Sequence, residues 1–138
     1  MEQSPKFKYK LEVYEKALKG FDTSLNIDFK LLSEEIIDAI INGRIQKFEY
    51  CTELTWKIIK NYLYIYHNID AKSPRDSIKE FFLIGAVDEP SYELLLNILD
   101  DRNKLSHIYK EEFFIEIHNK LKIYYVIMDR VLTILKKT

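Results

Sequence analysis

The residues best suited to chemistry are Arg102, Asn103, His107 and Tyr109, which stand close together in the second half of the chain. A histidine with an ordinary pKa near 6.5 moves protons at neutral pH. An arginine grips phosphate oxygens in a planar fork and stabilises charge that develops on them. Asn103 and Tyr109 are placed to orient the phosphate or the imidazole. This set suits metal-free cleavage of RNA, in which a 2′-hydroxyl attacks its own phosphate and leaves a cyclic phosphate. At about 100° per residue, Arg102 and Tyr109 share one face of a continuous helix, whereas His107 falls about 140° away from Arg102. The three converge only if the helix ends near Ser106 or if a second copy supplies one of them. A symmetric homodimer with both motifs at its two-fold axis meets the second condition. A plainer reading stands beside this one. Arg102 pairs with Asp100, with Asp101 or with an acid on another helix such as Glu49 or Glu53, His107 satisfies a loop carbonyl, and Tyr109 is a buried ring with a wet tip.

The elements that carry these residues read as helices. Upstream of Arg102, the residues Tyr92, Leu95, Leu96 and Leu99 recur at helical spacing. Arg102, Asn103 and Ser106 extend their stripe, so an inward face turns polar, which requires partners or a purpose. The helix begins at Asp88, Glu89 and Pro90, and a break is expected over 106–110. A first helix runs from 6 to about 25, with Phe7, Leu11, Tyr14, Leu18, Phe21 and Leu25 on one face; Gly20 weakens it and can end it early. Helical pattern returns over about 31–42 behind Ser33 as an N-cap, and again over 44 to about 67, where Ile45, Phe48, Thr52, Thr55, Ile59, Tyr62 and Tyr66 face inward. Gly43, between them, either breaks or bends the region. Ser73 and Pro74 open a short helix that stops near Gly85. A single last helix spans 110 to about 136, with Phe114, Ile117, Leu121, Tyr124, Met128, Val131 and Leu135 at strict three-four spacing. The expected fold is all-α: one domain over 1–138, an antiparallel up-and-down bundle of four to five main helices.

Composition bounds the function. With 21 basic and 22 acidic side chains the net charge is -1, which argues against a broad basic surface for duplex nucleic acid and leaves room for a local basic cleft. The three glycines lie far apart, so no phosphate-cradling loop or dinucleotide fingerprint exists. His67, His107 and His118 lack helical metal-site spacing, and the single Cys51 reads as a small buried hydrophobe, so neither metal nor cofactor is expected. The acidic pairs Asp100/Asp101 and Glu111/Glu112 read as solvated charge near helix ends. Trp56 reads as core packing, and Glu49, Glu53 and Lys57 as an exposed ladder. No apolar run reaches about 18 residues, so no membrane span is expected, and the polar first ten residues do not resemble a secretory signal. A reducing cytoplasm fits these features.

The pattern Arg-x4-His-x-Tyr, with Asn103 directly after Arg102, resembles the signature of the HEPN superfamily. The nearest branch is that of nucleotidyltransferase substrate-binding proteins, the HEPN partners of minimal nucleotidyltransferases in two-gene modules. Segment 45–60, and segment 73–76 followed by 81–85, carry the resemblance further. It implies a helical bundle and a homodimer that works with a minimal nucleotidyltransferase. Two activities follow. One is a ribonuclease-type toxin with Arg102 and His107 catalytic. The other is a non-catalytic accessory subunit that binds nucleotide or substrate, with RNA or a nucleotide as ligand in either case. Tyr109 also matches the position of a nucleotidyl acceptor in related modules.

Overall fold

In a computed structural model, residues 4–107 and 111–138 are described. Among them are six helices and no strand: α1 (Pro5–Leu25), α2 (Glu34–His67), α3 (Pro74–Leu83), α4 (Glu89–Lys104), α5 (Glu111–His118) and α6 (Leu121–Lys136). The all-helical expectation holds, with one more helix than foreseen.

Helix α2 is the spine. It packs against all the others, and its 34 residues reach about 51 Å. Ser33 caps its start by accepting the Ile36 N–H at 3.3 Å, with Glu34 and Glu35 in the favourable first turn. The two helical patterns on either side of Gly43 are one helix, so Gly43 does not break it. Space around the Gly43 α-carbon is open, and the helix continues because the apolar stripe from Ile45 onward resumes in phase. Its C-terminus closes at Asn68, which takes the left-handed conformation with φ 55°. Helix α1 likewise runs through Gly20 to Leu25. All six of its expected inward residues are buried, and that burial outweighs the glycine's cost of about 1 kcal/mol.

Three pairings are antiparallel, as contacts at both ends of each show. Ser4 N–H donates to the Tyr66 hydroxyl while Arg44 Nε donates to the Ser24 carbonyl, so α1 and α2 run oppositely. Lys136 pairs with Glu15 and Tyr125 meets Phe21, which does the same for α1 and α6. Arg130 reaches Ser91 and Lys120 reaches Asp101, which fixes α4 against α6. Between α1, α2 and α6, the buried Tyr14 hydroxyl lies 2.8 Å from Thr55 Oγ1 and donates to the Met128 carbonyl at 3.1 Å.

The single last helix is a correction. The chain breaks at Asn119 and Lys120, where Lys120 N–H closes on the Ile117 carbonyl at 2.9 Å, three residues back. The apolar seam keeps its spacing across the break, with Ile117 and Leu121 both buried and Phe114 half-buried, so periodicity gave no warning. Two side-chain anchors flank the break instead. His118 Nε2 lies 3.3 Å from Arg44 Nη1, and Lys120 reaches the buried Asp101.

Candidate functional site at the end of helix α4

Helix α4 ends at Lys104, and Leu105 to His107 form a turn. This early end meets one of the two conditions for bringing Arg102 and His107 together. Arg102 is half-buried. Its Nη1 lies 3.2 Å from Glu49 of α2 and donates to Ser106 Oγ at 2.7 Å. Its Nε is buried without a hydrogen-bond partner among the described residues. The across-bundle acid is therefore Glu49. His107 stands exposed past the helix end; its main-chain N–H closes on the Lys104 carbonyl at 3.2 Å, and no hydrogen bond among the described residues joins its ring to Arg102. Asn103 is exposed. Tyr109 lies outside the described residues. Beside the Glu49–Arg102 pair is a cleft of about 270 Å³ bounded by Asn42, Gln46, Glu49, Leu105 and Phe114.

The inward stripe of α4 differs from the expected one. Asn103 and Ser106 face solvent, and the polar residue that points inward is Asp101, only 3 % exposed. The buried positions are Ser91, Leu95, Ile98, Leu99 and Asp101, with Leu105 following in the turn. Asp101 is thus not the solvated helix-end charge that its neighbour Asp100 suggests; Asp100 is the exposed one and pairs with Arg75 at 2.6 Å. The signal was present in Ile98 and Leu105, which bracket position 101 at spacings of three and four.

Asp101 is the centre of a network that holds the α4 terminus. Its carboxylate accepts from the buried Tyr124 hydroxyl, receives Lys120 Nζ at 3.2 Å and lies 3.6 Å from Lys104 Nζ. Burial, then the hydrogen bond to Asp101, pushes the Tyr124 phenol well above its ordinary pKa, so it stays a donor. The Tyr124 ring stacks on Phe48 of α2 with centroids 5.5 Å apart, and Lys104 lies over the Phe113 ring at 5.2 Å. One carboxylate thereby ties α4 to α6, while the ring stack carries the tie to α2. Charged groups so arranged stabilise only while all partners remain. The consequence for the site is a rigid base under Arg102.

A buried cation stands on α2. Arg44 is 7 % exposed. Its Nε donates to the Ser24 carbonyl at 2.7 Å and its Nη2 to the Ile27 carbonyl at 3.2 Å, and the guanidinium lies over the Phe29 ring at 4.5 Å. Nothing in the sequence marks Arg44, because its partners are main-chain carbonyls that no residue type reveals. His118 completes the group. Burial, then the Arg44 charge, holds its imidazole below the usual histidine pKa. A base whose folded pKa is depressed binds its proton more readily when unfolded. Stability is therefore expected to fall as pH drops from above 6.5 toward the folded value. Urea titrations between pH 7.5 and 5 check this, and His118→Gln should flatten that limb.

Elsewhere the expectations divide. Cys51 is buried, and burial pushes its thiol up to about 12. Glu53 and Lys57 form the expected surface pair at 4.0 Å, but Glu49 leaves the ladder for Arg102. Trp56 is half-buried and packs against the core from its edge. Among the described residues no helix is long and apolar enough to cross a membrane.

Comparison with known proteins agrees with this architecture. No curated protein sequence matches the chain. The crystal structure of a protein from Thermus thermophilus is similar, with a TM-score of 0.75 and 28% identity, over 87% of this chain and 96% of that one. The family model described as "Nucleotidyltransferase substrate binding protein like" matches residues 9–137. That span takes in α4 with Arg102, the Asp101 network and the bundle around them, and the chain belongs to the family of nucleotidyltransferase substrate binding protein-like proteins.

Proposed function

We propose that this chain is a HEPN-like, non-catalytic accessory subunit that binds nucleotide or substrate for a minimal nucleotidyltransferase. The observation that carries this reading is the family match over 9–137, which names substrate binding by that class of enzyme. The state of Arg102 supports it. Glu49 neutralises the guanidinium, and Ser106 shares its Nη1. A cation already matched by a carboxylate stabilises phosphate charge poorly in a transition state, whereas it can exchange one anionic partner for another on binding. The chain acts as one domain over 1–138 and forms a homodimer, with both copies of Arg102 and His107 near the two-fold axis. Arg102, Asn103 and His107 then border a shared anion-binding surface, and Tyr109 is the candidate nucleotidyl acceptor. The setting is the cytoplasm.

The ribonuclease reading assigns proton transfer to His107 and phosphate stabilisation to Arg102, and like the accessory reading it requires Arg102 to exchange Glu49 for a phosphate. Isothermal titration of the partner enzyme, sought first in the adjacent gene, tests the accessory reading. Arg102→Glu is expected to weaken the complex at least about tenfold, because it sets a carboxylate against Glu49 and against any anion. Stability should change by only about 1 kcal/mol, since the Arg102–Glu49 pair is partly solvated. Unchanged affinity in that variant would remove Arg102 from the interface.

A further inference from the structure

A second feature lies on another flank of the molecule. Around α2, Glu49 and Leu54 are about 140° apart, so the groove between α1 and α2 does not belong to the Arg102 surface. The groove has two sections of about 510 Å³ each, which meet at Val13. From Tyr9 to Gly20 it follows α1 for about 16 Å. Its floor is apolar, and three aromatic rings border it. Tyr9 is 66% exposed, Tyr50 is 54% exposed and Trp56 is half-buried. Exposed rings of this size are costly to leave in water without a use.

The charge of the groove is distinctive. The chain is net -1, yet five lysines line the two sections: Lys10, Lys16, Lys47, Lys57 and Lys60. Lys57 is paired with Glu53, and Lys60 is held by Asp70 and the Ala71 carbonyl. Among the described residues, no carboxylate pairs with Lys10, Lys16 or Lys47. Lys10 Nζ donates to the neutral Asn61 amide at 3.1 Å, so its charge is uncompensated. Lys47 Nζ lies over the bare α-carbon of Gly20, 3.5 Å from where a β-carbon would stand, which places an ammonium within the groove.

We propose that this groove binds a short single strand of nucleic acid, with Tyr50 and Trp56 stacking on bases and Lys10, Lys16 and Lys47 pairing with phosphates. Aromatic rings and unpaired cations lining one open track are what single strands use, because every base offers a flat face and every linkage a charge. An acidic protein segment would satisfy the lysines without using the ring faces. A mononucleotide would fill one section and leave the lysines of the other unmatched. The site is independent of Arg102, so it stands or falls separately from the accessory-subunit reading.

Trp56 is the chain's one tryptophan, so its emission reports on the groove directly. The full-length protein is titrated with a 12-nucleotide oligouridine and oligothymidine at low salt, following Trp56 emission and the anisotropy of a labelled strand. Quenching is expected together with an anisotropy rise, and affinity should fall steeply with salt. The pair Lys16→Glu and Lys47→Glu should weaken binding at least about tenfold, and Tyr50→Ala about fivefold or more. The surface control Lys79→Glu should leave it unchanged. Circular dichroism confirms that each variant is folded; because Lys16 and Tyr50 are at the surface, single substitutions there remain informative if the double variant misfolds. Absence of quenching at 100 µM strand overturns the proposal. So does binding that ignores Lys16 and Lys47, or equal quenching by uridine monophosphate.

Discussion

Asp101→Ala is expected to cost about 3 kcal/mol of folding stability, the scale for removing one partner of a buried charged network. The carboxylate is buried, accepts from Tyr124 and Lys120, and pairs with Lys104 across 3.6 Å. The two lysines are partly exposed and can swing into water. The Tyr124 hydroxyl is buried and cannot, so an unsatisfied donor remains under α4. In a chain of this size the loss corresponds to a melting temperature lower by roughly 10 °C. The pair Asp101→Leu with Tyr124→Phe should recover most of it, because deleting both partners leaves nothing unpaired. Urea unfolding of the single and double variants measures the coupling. A single variant within 1 kcal/mol of the parent would mean that the network does not hold the α4 terminus.

Arg44→Ala is expected to be comparably severe, at about 3 kcal/mol. Hydrogen bonds from a charged donor each contribute about 1.5–3 kcal/mol, and the substitution leaves the Ser24 and Ile27 carbonyls without their donor. It also removes the cation over Phe29 and the neighbour of His118. Arg44→Lys should recover less than half of the loss, since one ammonium cannot span two carbonyls in the geometry of a planar fork. Hydrogen exchange should locate the damage at the C-terminal turn of α1 and the connection to α2. Global unfolding without such local opening would place the role of Arg44 elsewhere.

Much of the scaffold was legible because burial follows periodicity. The six inward residues of α1 were each found buried, as were most of those of α2 and α6. Periodicity alone does not say that a polar residue at an inward position is buried, even where apolar residues such as Ile98 and Leu105 bracket it. Asp101 occupies such a place, and its acidic neighbour Asp100 at the helix end made solvation the natural expectation. Arg44 was hidden for a different reason: its partners are carbonyls. The break at Asn119 was invisible because the seam keeps its spacing across it, and only His118 and Lys120, held by Arg44 and Asp101, explain it. At the site, the pairing of Arg102 with an acid across the bundle was one of the stated alternatives, and Glu49 is that acid. Its consequence, a neutralised guanidinium, depends on tertiary contact and could not be read from spacing.

On the proposed function, this chain assists nucleotidyl transfer rather than cleaving RNA. The most direct measurement is the rate of transfer by the partner nucleotidyltransferase from ATP to its acceptor, with and without this chain, alongside RNA cleavage by the chain alone in EDTA. A higher transfer rate or a lower KM for the acceptor is expected when the chain is present, a gain lost in Arg102→Glu, with no cleavage that depends on His107. An unchanged transfer rate together with metal-free cleavage abolished by His107→Ala would contradict it and establish the nuclease instead.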